Sequence, residues 1–114
     1  MKIKEVLDSK KVSISFEIFP PKKQSSFDSV MNAALNLCSL QPDFMSVTYG
    51  AGGGTSQYTL DIARSIKEEY GVPSLAHLTC VSSDRETVRR RIENMKTAGI
   101  ENVMALRGDL LPEQ

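Results

Sequence analysis

The stretch FMSVTYGAGGGT, which runs from Phe44 to Thr55, has the composition of a buried strand that ends in a glycine-rich loop. Its first six residues are mostly apolar or β-branched, as is typical of strands. Thr55 then stands where a helix cap is expected. The helix would bury a stripe formed by Ile62, Ala63 and Ile66, and it would end at Gly71. This stretch therefore predicts one strand, loop and helix unit.

A similar unit precedes it. Residues 12–19 alternate strictly and stop at Pro20 and Pro21, which predicts a strand. One face of this strand would carry Val12, Ile14, Phe16 and Ile18, and the other Ser13, Ser15 and Glu17. A helix with its apolar stripe at three-and-four spacing follows, formed by Phe27, Val30, Met31, Ala34, Leu35 and Cys38.

Two further units follow. Leu75 to Cys80 is predicted as a strand, and Ser83 to Glu86 has the pattern of a capping box at the start of a helix. That helix would turn Val88, Ile92 and Met95 inward and end at Gly99. A fourth strand is predicted from Asn102 to Leu106.

The predicted strands recur about every thirty residues, the size of one strand-helix crossover unit. Such a series predicts an α/β fold with parallel strands. An open doubly wound sheet and a (β/α)8 barrel both satisfy this periodicity. The polar face of the first strand favours the barrel, because a sheet covered on both faces is expected to have strands that are apolar throughout.

Polar residues stand near the carboxyl end of each predicted strand: Glu17, Thr48, His77 and Asp109. Because the carboxyl ends of parallel strands meet at one edge, we expect these four residues to share a pocket. Each also has a structural alternative. His77 could be a hydrogen-bonded core residue, Thr48 is ordinary strand composition, and Asp109 could cap a turn. Glu17 could simply be exposed at an edge, but it is the least expected of the four in an apolar strand, since a buried carboxylate is costly unless it is paired.

Charge and cysteine content exclude several classes of protein. Lys and Arg together number 14, as do Asp and Glu, so no excess positive charge favours binding to nucleic acid or to an anionic membrane. Cys38 and Cys80 lie far apart, which indicates reduced thiols and no metal site. The first residues lack a signal-peptide pattern, and no segment reaches the roughly 20 apolar residues of a membrane helix. We expect a cytoplasmic protein.

Two other features have structural interpretations. The loop at 50–54 lacks the last glycine of the dinucleotide fingerprint and the lysine of a P-loop, so it is interpreted as a flexible loop that lets a flat group approach the backbone. The basic run at 89–91 is predicted to be a solvated helix face, away from the polar edge.

Four ordered segments carry a family resemblance: SFEIFPPK (15–22), DFMSVTYGAGGGTS (43–56), AHLTC (76–80) and ALRGDL (105–110). Together they resemble the methylenetetrahydrofolate reductase family over nearly the whole chain. One departure lies in the glycine loop, where Gly54 and Thr55 stand in place of the family's more usual Ser-Thr.

The resemblance implies a (β/α)8 TIM barrel that holds FAD at the carboxyl ends of its strands. It implies an oxidoreductase of one-carbon metabolism and methionine biosynthesis, in which NADH or NADPH reduces the flavin and the flavin reduces 5,10-methylenetetrahydrofolate to 5-methyltetrahydrofolate. Glu17 resembles the general acid, and Asp109 the carboxylate near the flavin pyrimidine edge and the pterin. The positions similar to cofactor-binding ones are Thr48, Tyr49, Ala51, His77, Arg107, Gly108 and Asp109.

A complete barrel needs about 250 residues and eight strands. We therefore expect residues 1–114 to form the N-terminal half of the flavin-binding catalytic domain, acting with a folate substrate in a homo-oligomer. The alternative is a non-catalytic half-barrel that self-associates through its open edges. The sequence does not distinguish NADH from NADPH.

Overall fold

A four-stranded parallel sheet organises the chain in the computed structural model, which describes residues 2–9, 12–21, 23–49, 56–81 and 83–108. The predicted glycine loop, the Thr55 cap and Asp109 lie outside those residues. The elements, in chain order, are α1 (Ile3–Ser9), β1 (Ser15–Ile18), a 3-10 turn (Gln24–Ser26), α2 (Phe27–Cys38), β2 (Phe44–Val47), α3 (Ser56–Tyr70), β3 (Ser74–Thr79), α4 (Arg85–Thr97) and β4 (Asn102–Leu106). None of the described helices is long and apolar enough to cross a membrane.

The strands lie side by side in the order β1-β2-β3-β4, each parallel to the next. In a doubly wound sheet the first strand lies inside, and later strands are added on both sides of it. A sequential order with right-handed crossovers instead places every helix on the same face, as in a barrel. The predicted α/β class is confirmed, and the arrangement is that of the first part of a (β/α)8 barrel.

The core lies between the helices and one face of the sheet. Met45 and Val47 of β2 and Ala76 and Leu78 of β3 are buried there at alternate positions. The predicted stripe of α3 is fully buried against them, with Ile62, Ala63 and Ile66 each at 0% exposure. Helix α2 contributes Ala34 and Cys38. The helical periodicity therefore identified the buried faces of α2 and α3 correctly.

The first strand is shorter than predicted. β1 begins at Ser15, whereas Val12 and Ile14 are 73% and 59% exposed. Its register pairs Ser15 with Phe44, the first residue of β2. Just before that, the Ile14 carbonyl still accepts from the Asp43 N–H at 2.8 Å, but the Ile14 N–H bonds the side chain of Asp43 rather than a main-chain carbonyl. Alternation alone predicted a strand that starts before regular pairing with β2 begins at Ser15.

Helix α4 also differs from its prediction at its first turn. Asp84, not Ser83, is the N-cap, because its side chain accepts a hydrogen bond of 2.7 Å from the Thr87 N–H. This hydrogen bond lowers the pKa of Asp84. Along the helix, Met95 is buried as predicted, whereas Ile92 is 38% exposed. Ile92 was therefore wrongly placed in the core.

Glycines end both long helices as predicted. Gly71 and Gly99 have φ angles of 66° and 78°, the left-handed conformation in which helices commonly end. The Gly71 N–H bonds the Lys67 carbonyl at 2.9 Å, which satisfies one of the last carbonyls of α3.

We expect Cys38 to resist thiol reagents in the folded protein. Its side chain is 1% exposed, and burial raises the pKa of its thiol, so little thiolate is present to react. Cys80 is only half-buried and serves as the internal control. Timed labelling with iodoacetamide followed by peptide mass spectrometry should show Cys80 modified first and Cys38 modified only after urea is added. Equal labelling of both in native buffer would contradict this burial.

Candidate functional site at the carboxyl ends of the strands

The face of the sheet opposite the helices, here called the open face, carries polar side chains. In the register, Glu17 of β1 lies beside Ser46 of β2, and both alternate with residues of the buried core. His77 of β3 has the parity of this same face, between buried Ala76 and Leu78. Three neighbouring strands therefore present a carboxylate, a hydroxyl and an imidazole on one side.

Glu17 is the centre of this group. The Ser46 hydroxyl donates to Glu17 Oε1 at 3.1 Å, and His77 Nε2 lies 3.6 Å from the same oxygen. The Glu17 side chain is 48% exposed, whereas that of His77 is 11% exposed. The carboxylate is thus held from behind by its neighbours and remains accessible from the open face.

His77 has unused hydrogen-bonding capacity. Its Nε2 atom is buried and makes no hydrogen bond to any part of the chain that the structure describes. Buried polar atoms are nearly always paired, so an unpaired one at a candidate site calls for a partner. Glu17 Oε1, 3.6 Å away, lies just beyond hydrogen-bond distance from it.

Thr48 directly follows β2 and is held through its backbone. Its N–H donates to the Ile18 carbonyl at 2.9 Å, and its own carbonyl accepts from the Thr59 hydroxyl at 2.8 Å. Continuing the alternation of β2 assigns Thr48 to the open face with Ser46. The structure thus places Glu17 and His77 on one side of the sheet, and strand parity assigns Thr48 to the same side; Asp109, the fourth predicted member, lies outside the described residues.

Tyr49 has a different environment. Its side chain is 8% exposed and belongs to the core cluster on the helix side. The Arg91 guanidinium lies 5.3 Å from the centre of its ring and donates to the Ser83 hydroxyl at 3.0 Å. A contact between Tyr49 and a ligand on the open face would therefore involve its backbone.

The prediction for the basic run is correct for Arg89 and Arg90, which are exposed, and wrong for Arg91, which is half-buried against Tyr49. Sequence reasoning also missed Ser46 and Thr59. Strand parity could have identified Ser46, since it occupies the alternating position beside Glu17. No local sequence pattern identifies Thr59, because its partner, the Thr48 carbonyl, lies outside α3.

The end of β4 is closely packed against β3. The ladder continues past both strands, since the Val81 N–H donates to the Arg107 carbonyl at 2.7 Å. Gly108 follows with φ of 90°, and a Cβ atom built there would lie 2.2 Å from Thr79 Cγ2. Glycine is required at this position. Arg107 is exposed beside it, and Ala51 lies outside the described residues.

A sequential parallel sheet with a carboxylate and an imidazole on its open face defines a class, that of barrel proteins with a site at the carboxyl ends of their strands. A sequence model of one family, methylenetetrahydrofolate reductase, matches residues 2–114. The chain belongs to the methylenetetrahydrofolate reductase family. The resemblance carried by the four sequence segments is confirmed.

Three relatives illustrate the extent of the match. The chain is 39% identical over 103 residues to 5,10-methylenetetrahydrofolate reductase of Pectobacterium carotovorum subsp. carotovorum, covering 90% of this chain and 35% of that protein. It is 38% identical over 101 residues to the Escherichia coli (strain K12) protein of the same name, covering 89% and 34%. It is 38% identical over 108 residues to "Methylenetetrahydrofolate reductase (NADH) 1" of Arabidopsis thaliana, covering 95% and 18%. The chain thus spans about a third of the bacterial relatives' length and about a fifth of the plant protein's.

Proposed function

We propose that this chain is the N-terminal half of the catalytic barrel of an FAD-dependent oxidoreductase. The reaction is reduction of 5,10-methylenetetrahydrofolate to 5-methyltetrahydrofolate by NADH or NADPH, a cytoplasmic step of one-carbon metabolism that supplies methyl groups for methionine. The observation that carries the proposal is the group formed by Glu17, Ser46 and His77 on the open face, in a chain of this family. The name of the Arabidopsis thaliana relative specifies NADH, which supports a nicotinamide co-substrate here.

The described residues fit a flavin at this edge. His77 offers a buried, unpaired ring nitrogen, and Arg107 offers an exposed cation at the end of β4. Thr48 would lie beside the reactive centre of the flavin. Gly108 would form part of the wall of the flavin site, and Tyr49 would contact the flavin through its backbone. Ala51 and Asp109 complete the proposed set. When bound, FAD supplies the two-electron carrier that links oxidation of the nicotinamide to reduction of the folate.

Glu17 is the proposed general acid. Reduction of the folate requires a carbon-nitrogen bond of its five-membered ring to break, and an amine leaves more easily when it is protonated. A positioned acid contributes on the order of 10²–10⁴ in rate to such a step. The half-exposed carboxyl of Glu17 can deliver that proton from the open face, while Ser46 fixes the orientation of its Oε1 atom.

Asp109 is the second proposed catalytic carboxylate. Placed near the flavin pyrimidine edge, its negative charge would disfavour negative charge on the reduced flavin and so tune hydride transfer. In the sequence it directly follows Gly108, the last described residue at this edge of the sheet.

The assay is steady-state oxidation of NADH and of NADPH by a polypeptide that includes this chain, with chromatography of the folate product. Formation of 5-methyltetrahydrofolate that depends on added FAD and on 5,10-methylenetetrahydrofolate supports the proposal. Nicotinamide oxidation without folate product would reject it. The ratio of the two kcat/KM values identifies the preferred nicotinamide.

A second candidate is a non-catalytic half-barrel that self-associates. It is favoured by the exposed apolar side chains of the edge strand β4, where Val103, Met104 and Leu106 are 43%, 41% and 39% exposed.

For the 114-residue chain by itself, we expect little or no FAD binding, because ligand pockets normally enclose most of a ligand and four strands form only half of a barrel wall. Gel filtration with light scattering and a visible absorbance spectrum measure mass and flavin together. Colourless dimers would support the half-barrel alternative for the isolated chain. Stoichiometric flavin retained on a monomer would contradict the expectation.

A further inference from the structure

The carbonyl of Thr48 lacks the partner that a regular sheet would provide. The Thr48 N–H donates to the Ile18 carbonyl of β1. In a parallel ladder, the carbonyl of the same residue accepts from the N–H two positions further along the neighbouring strand. Here that position is Pro20, which has no N–H. The ladder between β1 and β2 therefore cannot continue through Thr48.

Thr59 supplies the missing donor. Its hydroxyl, on the second turn of α3, donates to the Thr48 carbonyl at 2.8 Å, and the residue is 0% exposed. A carbonyl left unpaired in this environment is costly, so the bond strongly favours one position of Thr48. The side chain of a helix residue thus replaces a main-chain contact that Pro20 removes.

Arg91 holds the next residue. Its guanidinium lies over the Tyr49 ring and also donates to Ser83, in the loop between β3 and α4. Arginine is suited to this double contact because its planar fork stacks on a ring while it donates in its own plane. Two adjacent residues, Thr48 and Tyr49, are therefore fixed from α3 and from α4, immediately before the glycine-rich stretch.

We propose that Thr59 and Arg91 are positioning residues of the reductase, fixing Thr48 and Tyr49 so that Thr48 keeps its place beside the reacting groups. This inference rests on the proposed function of Thr48. Neither residue touches substrate; each acts through the backbone or ring that it holds. Small displacements of a positioning element reduce rates strongly, since a shift of about 1 Å can cost about 10²-fold.

The test compares Thr59→Val with Thr59→Ser in the flavoenzyme that includes this chain. Valine keeps the shape and removes the donor, whereas serine keeps the hydroxyl. The rate constant of flavin reduction at saturating NAD(P)H, expressed per bound flavin, should fall about tenfold or more in Thr59→Val and return to within about threefold of wild type in Thr59→Ser. The melting temperature and the Kd for FAD are measured on the same samples.

A purely structural role would lower the melting temperature or the flavin content and leave the rate per bound flavin unchanged, which would overturn the inference. Arg91→Met, with Arg90→Met as the exposed control, tests the second contact and remains informative if Thr59→Val does not fold. Arg91→Met should slow flavin reduction, and Arg90→Met should not. Equal rates in the two variants would overturn the positioning role of Arg91. A wild-type protein that neither holds flavin nor reduces folate would reject the proposed function instead.

Discussion

Glu17→Gln is expected to slow the reoxidation of reduced flavin by methylenetetrahydrofolate by at least about 10²-fold, while flavin reduction by NADH or NADPH stays within about tenfold of wild type. The asymmetry follows from the chemistry. Opening the folate ring needs a proton, whereas hydride transfer from the nicotinamide to the flavin needs none. Glutamine keeps the shape and can still accept a hydrogen bond from Ser46, but it has no acidic proton to deliver.

Anaerobic stopped-flow absorbance separates the two half-reactions of Glu17→Gln. Glu69→Gln, the same change at an exposed position of α3, is the matched control and should behave as wild type. Equal losses in both half-reactions would mean that Glu17 supports flavin binding or the fold. An unchanged reoxidation rate would remove Glu17 from the acid role and leave Asp109 or a water molecule as the proton source.

Gly108→Ala is expected to destabilise the fold severely. A left-handed φ of 90° is strained for any residue with a Cβ, and that atom would meet Thr79 Cγ2 at 2.2 Å and Val81 Cγ1 at 2.8 Å. Both side chains are nearly buried and β-branched, so neither can move aside easily. Strain and overpacking cost about 1–3 kcal/mol each, together a large part of the 5–15 kcal/mol typical of a domain.

Gly71→Ala is the matched control for Gly108→Ala. Gly71 also has positive φ, 66°, but no atom lies within 4 Å of a Cβ built there. The control therefore carries the backbone strain without the overlap. Urea denaturation of both variants should give a markedly lower midpoint for Gly108→Ala. Equal midpoints would show that the contact with β3 does not restrict this position.

The elements that sequence predicted best are those determined by local periodicity. β4 spans the predicted residues, and the α3 stripe of Ile62, Ala63 and Ile66 is buried as expected. Sequence reasoning failed at the start of β1, where the outcome depends on a distant partner, and at the α4 cap, where Ser83 and Asp84 both offer a side-chain oxygen. β1 starts late because its neighbour begins at Phe44, and Asp84 replaces Ser83 as the cap because Thr87 lies within its reach.

In the candidate site too, local patterns predicted some residues, whereas others depend on packing between elements. Alternation along β1 put Glu17 opposite the core, and parallel strands put His77 near it, as the 3.6 Å separation shows. The contacts of Thr59 with Thr48 and of Arg91 with Tyr49 join residues of different elements, and no local pattern marks them. Their assignment required the three-dimensional packing of α3 and α4 on the sheet.

The most direct test of the proposed reductase activity is a single turnover without oxygen. The flavoenzyme that includes this chain is reduced with one equivalent of NADH or NADPH, freed of the nicotinamide, and mixed with 5,10-methylenetetrahydrofolate. The proposed function predicts recovery of the oxidised flavin spectrum together with one equivalent of 5-methyltetrahydrofolate per flavin. Flavin that stays reduced, or that reoxidises without this product, would contradict it.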